Sequence, residues 1–203
     1  MSALPLIGAN KIVHKFIIYD KYGRVKRRGE VISNSWTENY TRLQKILFVH
    51  QTVQLYDKDG SGQPVYTDYL DDINVKAPEG SDTYGIIVGD STQTDINTKI
   101  RWLASQIPHS DTGLYYYDTL VETTIHEGSS PNERYFIIRR DFKNMGTASI
   151  YVREVGLAIL IGTLGPFLLV YDTTLSAKGV ETNYVEIRSG ETLRWMIMPK
   201  TIT

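Results

Sequence analysis

The sequence predicts an all-β protein: an antiparallel β-sandwich, jelly-roll-like, with one short α-helix near residues 36-49. Three observations predict it. Runs rich in β-branched and aromatic residues recur along the chain, each closed by glycine, asparagine, aspartate or proline. The spacing of those turn signals is that of a sandwich of short strands. The densest apolar stretch, residues 149–172, carries the period of two that a strand requires.

In that stretch Val155, Leu157, Ile159 and Ile161 fall on one face, and Gly156, Ala158 and Leu160 on the other. A bulky face belongs in a core. A Gly/Ala face implies the close approach of another sheet, helix or subunit. Residues 162–166 read as a turn and residues 167–171 as a return strand. The expected centre of the molecule is therefore a long hairpin over 149–172.

The other elements follow from local chemistry. Residues 11–20 and 24–32 read as a hairpin closed by the turn Asp20-Lys21-Tyr22-Gly23. Ser35-Trp36-Thr37-Glu38 has the form of a capping box, and Tyr40, Leu43, Ile46 and Leu47 share one helical face, so a helix is expected that ends near His50. Residues 53–56 and 65–70 flank an acidic turn. Residues 71–84 read as an exposed loop and 84–89 as a short buried strand. Residues 90–95 are a further loop, and 99–107 fits neither period. Residues 114–125 and 134–142 alternate as paired strands joined by a loop over 126–132. Asn144-Met145-Gly146 turns the chain into the central hairpin. After Ala177-Lys178-Gly179, residues 184–187 and 192–198 supply the last strands, around a turn at Ser189-Gly190. No linker or repeat interrupts the chain, so one domain over 1–203 is expected, with residues 1–10 as an extended arm.

Composition narrows the function. The 203 residues carry a net charge of −1, which provides no global attraction to nucleic acid or anionic membrane. The absence of cysteine removes disulfide and thiol chemistry and fits assembly in a reducing cytoplasm. No apolar run approaches the ~18 residues that span a bilayer, and the N-terminus lacks the form of a signal peptide. Fourteen tyrosines suit strands and interfaces alike.

Few motifs carry chemistry. Asp57, Asp59, Ser61 and Asp68 stand at the first, third, fifth and twelfth positions of an EF-hand-like loop, with Gly62 at the sixth, and are candidate calcium ligands. Pro64, an aspartate in place of the final glutamate and the lack of a helix pair favour a solvated acidic turn instead. Gly89-Asp90-Ser91 after a strand has the form that opens a GDSL-type hydrolase. None of His14, His50, His109 and His126 has an aspartate three residues earlier, and no histidine follows position 126. A serine without a positioned base is a poor nucleophile. His126-Glu127 lacks a second metal-spaced histidine, and Asp71-Asp72 is a pair any loop holds. Lys26-Arg27-Arg28 suits a charged sheet edge that resists edge-to-edge pairing. No catalytic residue and no cofactor other than calcium is expected.

Several stretches, in order, resemble a group of small virion structural proteins of tailed bacteriophages. They are Ser35-Trp36-Thr37-Glu38-Asn39-Tyr40, Ile86-Ile87-Val88-Gly89-Asp90-Ser91-Thr92, and Leu103-Ala104-Ser105-Gln106-Ile107-Pro108-His109. Arg140-Asp141-Phe142-Lys143-Asn144 and Val152-Arg153-Glu154-Val155-Gly156-Leu157 come next, and Leu168-Leu169-Val170-Tyr171-Asp172 and Gly190-Glu191-Thr192-Leu193 complete the set. The chain departs from the group at Asp90, where glycine is common. The resemblance implies a non-enzymatic β-sandwich of the capsid decoration, head-fibre or tail type. Its partners would be other capsid or tail proteins and copies of itself, without direct contact to nucleic acid or membrane, in a virion assembled in the host cytoplasm. The alternative is a carbohydrate- or host-surface-binding module, for which Tyr115-Tyr116-Tyr117 is the best candidate patch. The plainer reading of that triplet is one buried tyrosine between two on the opposite face.

Overall fold

The structure is a computed structural model that describes residues 11–33, 36–92, 99–122, 124–128, 133–173 and 184–202. The expectations for the arm, for Ser35, for the end of the 90–95 loop, for 129–132 and for 177–179 lie outside these residues. Strand makes up 53% of the described residues, which contain one α-helix, so the class is all-β with several antiparallel sheets, sandwich-like.

β1 (Lys11–Tyr19) and β2 (Val25–Ser33) form the first hairpin. Asp20 builds its turn: one carboxylate oxygen accepts from the amides of Tyr22 and Arg24, the other from the Arg24 guanidinium, and Gly23 takes the left-handed backbone at φ 80°. The helix α1 (Glu38–Val49) follows and ends on His50 in the left-handed conformation. Leu43 and Ile46 are buried as expected. The serine of the expected capping box lies outside the described residues, and the N-cap of the helix makes no side-chain cap hydrogen bond. Thr37 is the N-cap, and its hydroxyl donates to the carbonyls of Leu168 and Leu169, while Glu38 engages Arg42 and Arg101 rather than the helix start. Tertiary partners outcompete the local cap.

β3 (Val53–Tyr56) and β4 (Gly62–Val65) make a small hairpin, followed by a 3-10 helix over Thr67–Asp72 where a strand was expected. β5 (Ile73–Asn74) and β6 (Gly85–Gly89) come next, then β7 (Leu114–Val121), β8 (His126–Glu127), β9 (Glu133–Tyr135) and β10 (Ile138–Asn144). The expected loop at 126–132 begins with β8, which pairs with β9. The central hairpin starts later than its sequence pattern. β11 (Ile150–Val152) pairs with β14 (Val185–Ile187), and only after Arg153 does the chain join β12 (Glu154–Ile161) to β13 (Leu164–Thr173). The turn is confined to 162–163, so residues 164–166 already belong to β13. The last strand is β15 (Thr192–Ile202).

The larger sheet has the order β2-β1-β15-β10-β7, with β9 pairing the end of β15 and β8 pairing β9. In the smaller sheet β13 flanks one side of β12, and β6 and β5 share the other. Phe16, Trp195 and Phe142 from the larger sheet join Val88, Val155 and Phe167 from the smaller in a single core cluster. The expected bulky face is buried: Val155, Leu157, Ile159 and Ile161 are all in the core. The Gly/Ala face is covered by the chain itself. A Cβ at Gly156 would lie 2.7 Å from Leu168 Cδ1 and 3.1 Å from Leu103 Cδ2. The segment of undecided period, 99–107, supplies Leu103 to that face.

Candidate assembly surface

At one place the two sheets and the helix entry leave an apolar groove of about 510 Å³. Ile138, Tyr135 and Pro199 line it from the larger sheet, Leu157, Ile159 and Leu169 from the smaller, and Trp36 and Tyr40 from the start of α1. Ile73 and Val75 complete the apolar wall. Trp36 bridges to Val170 of β13 and stacks on Tyr40 with ring centroids 3.5 Å apart, so the helix entry is fixed as one flat aromatic wall. Ile125 and Phe136, also lining residues, are 69% and 38% exposed, so apolar surface continues from the groove to solvent. The cations at the rim are engaged: Lys200 reaches Glu133 and Arg134 reaches Glu127, each at 3.1 Å. Gln44 donates to the Tyr40 hydroxyl. What remains is a largely apolar lining, joined to exposed apolar surface.

Polar residues in several of the stretches singled out in the sequence do a different job. Arg140 is buried, and its guanidinium donates five hydrogen bonds to the carbonyls of Pro78, Ser81, Tyr84, Ile86 and Tyr117. It ties the 78–86 segment to β7 and β10. Burial pushes the guanidinium down to about 10. Asn144, two positions beyond Phe142 on the same inward face, donates to the carbonyls of Ala148 and Ile187 and accepts from the Gly146 amide, which builds the turn leaving β10. Glu154, fully buried, accepts from the amides of Ala104 and Ser105, and burial raises its carboxyl above the usual range. It seats against Gly89, where any Cβ would collide with its carboxylate. Asn39 takes both the amide and the carbonyl of Tyr56 and so joins α1 to β3. Apart from a hydrogen bond between Glu154 and Tyr171, these side chains bond to backbone and so act as pins between segments.

The other candidates fall into place one by one. In the acidic turn, Asp57 accepts from the amides of Asp59 and Ser61 with one oxygen and from Gln63 with the other. Those hydrogen bonds hold its carboxyl below the ordinary value against the desolvation that opposes them. Asp59 and Ser61 lie on the exposed turn, and Asp68 stands beyond β4 in the first turn of the 3-10 helix. Among the described residues no group of three or more acidic or histidine side chains comes together as a metal site. Ser91 is exposed just past β6; His14 pairs with Trp195, His109 with Tyr116 and His126 with Glu122, and His50 is the C-cap of α1. In the tyrosine triplet Tyr116 is buried, while Tyr117 is 37% exposed and meets Tyr115 edge to face at 5.2 Å. Lys26, Arg27 and Arg28 lie on β2, an edge of the larger sheet, as their charge suggested.

Compared with known proteins, the chain matches no protein-family model, no curated protein and no solved structure. The groove was missed in the sequence because its walls are drawn from positions 36 to 200. One local signal existed. Tyr135-Phe136-Ile137-Ile138 is an unbroken apolar run where a half-solvated strand should alternate.

Proposed function

We propose that this chain is a non-enzymatic virion structural protein of a tailed bacteriophage, which binds other capsid or tail proteins and copies of itself. The observation that carries the reading is the apolar groove with its exposed continuation at Ile125 and Phe136. A chain that works by assembly needs complementary area; a stable interface buries about 1,200–2,000 Å² in total. The ordered phage-like stretches supply the setting, and their polar residues hold the loops that frame a rigid body. Localisation in a virion built in the host cytoplasm belongs to the same proposal. Reconstruction of the particle with this chain located in it is the test. The expected result is a repeated position with the groove covered by a neighbouring chain. A lone copy with less than about 800 Å² of contact, or turnover of a polysaccharide or ester abolished by one substitution, would end the reading.

The Tyr115–Tyr117 pair favours one alternative, a carbohydrate- or host-surface-binding module. Two tyrosines two residues apart on an edge strand, with the Tyr115 hydroxyl donating to Glu79, offer a small aromatic face. A glycan array probed with the protein and with Tyr117→Ala decides that point: spots lost with the ring support a glycan site, and a blank array removes it.

A further inference from the structure

We infer that two copies of the chain pair antiparallel along the outer edge of β2, about a twofold axis at Gly29, so that Arg28 of each copy meets Glu30 of the other. The inference rests on the self-association part of the proposed function and names a contact for it apart from the groove. The larger sheet has β2 at one edge and β7 at the other. Along β7 the chain closes its own edge: the Thr119 amide donates to the Ala77 carbonyl and the Gly80 amide to the Tyr116 carbonyl. Along β2 no strand among the described residues pairs with the outer side. An open edge is a template for another strand.

The charges of the edge decide which strand fits. Ile12, His14, Phe16 and Ile18 of β1 are buried, so Lys15 and Ile17 point away from the core. Lys15 stands opposite Glu30 and Ile17 opposite Arg28, which places both β2 charges on the outer face. Arg28 is exposed and enters none of the described ion pairs. Glu30 meets Lys15 at 3.4 Å with both side chains nearly half exposed, so its carboxylate has room for a second cation. A bulge between Ile18 and Tyr19 ends the regular ladder near Arg27. Two β2 strands that keep their inner faces on the same side are centred on a residue, never between two. Centred on Arg28 or on Glu30, the pair sets like charges directly opposite, which destabilises it. Centred on Gly29, it sets Arg28 against Glu30 twice, adds a third charge to each Lys15–Glu30 pair, and places no side chain on the axis. The charges that deter a foreign strand therefore admit this chain's own copy. Such a contact is isologous and closes on itself. The paired stretch, Arg27 to Val31, is too short to bury the ~1,200 Å² of a stable interface. The edge therefore orients copies within an assembly that also needs the groove.

Charge reversal tests the register. Arg28→Glu and Glu30→Arg are made separately in the full chain, one carrying a mass tag. Both sites lie outside the core, so each variant should melt like the parent. Alone, each sets like charges opposite at both pairs, and self-association in sedimentation is expected to weaken about tenfold. Mixed, the two restore opposite charges at both pairs, and association should return in complexes that hold both variants. The chain has no cysteine, so Arg28→Cys and Glu30→Cys, mixed and mildly oxidised, give a second reading. Directly opposed positions are within disulfide reach, and the mixed-variant disulfide dimer is expected to exceed the same-variant ones. Equal amounts of all three would overturn the register. If both reversals associate like the parent, or if mixing restores nothing, the edge inference is overturned, while loss of association on charging Phe136 would leave the assembly reading standing. If the unaltered chain is monomeric at every concentration, the edge inference and the self-association reading fall together.

Discussion

Arg140 shows how much of this fold hangs on single polar side chains. Its guanidinium meets five carbonyls, four from the 78–86 segment and one from β7, and the described ion pairs do not include it. Arg140→Met keeps an apolar stem but removes the guanidinium that lies over the Tyr116 ring, and strands those carbonyls. The expected loss is roughly 3–5 kcal/mol, read from the urea midpoint. Arg140→Lys should recover only part of it, because an ammonium cannot reproduce the fork. A midpoint within experimental error of the parent would mean water replaces the guanidinium. His14 sets a second expectation. It is fully buried, accepts a hydrogen bond from Trp195 Nε1 at 3.1 Å, and sits 3.6 Å from Asp172, too far for a strong bond. Burial lowers its pKa from 6.5 to about 3. The unfolded chain therefore takes up a proton below pH 6.5 that the folded chain refuses. The stability tied to the neutral ring is complete above 6.5 and is lost as pH falls towards about 3, at up to ~1.4 kcal/mol per pH unit. Glu154 acts with the opposite sign: its raised carboxyl favours the fold at low pH and costs stability as it ionises. His14→Gln keeps an acceptor for Trp195 and should flatten the acid limb of a plot of melting temperature against pH. An unchanged slope would show that His14 is not its source.

At the scale of elements, the sequence was legible where local chemistry decides. The period of two placed Val155, Leu157, Ile159 and Ile161 in the core, and Asp20 with Gly23 marked the first turn. It was illegible where a distant partner decides. Thr37 caps towards β13, 131 residues away, instead of its own helix. The break at Arg153 follows from a change of partner, from β14 to β6 and β13, and no local pattern announces it. The central hairpin offers a paired test of the packing on its two faces. Val155→Asp places an unpaired charge in the core and should cost several kcal/mol. Gly156→Val presses on Leu168 and Leu103 and should cost ~1–3 kcal/mol through overpacking. Both are read by thermal melting. A harmless Gly156→Val would mean that the 99–107 segment moves aside, and a harmless Val155→Asp would place that residue in solvent.

For the whole molecule the proposed assembly reading implies a spatial division between stability and association. The pins at Arg140, Asn144 and Glu154 lie inside, and their loss should unfold the protein. The groove opens to solvent, and its outer residues contribute little to the fold. Ile125 and Phe136 are the discriminating positions, since both are exposed and both line the groove. A charge on an exposed side chain away from caps and pins changes stability by no more than about 0.5 kcal/mol. The same charge at the centre of an interface is left desolvated and unpaired, which typically costs 2 kcal/mol or more of binding, about thirtyfold in Kd. Phe136→Asp and Ile125→Asp should therefore melt like the parent yet fail to associate, measured by sedimentation for self-assembly and by incorporation into particles for partner binding. If either variant melts far below the parent, its side chain belongs to the core. If both melt normally and still assemble, the groove is not the contact, and the tyrosine face of β7 becomes the surface to alter next.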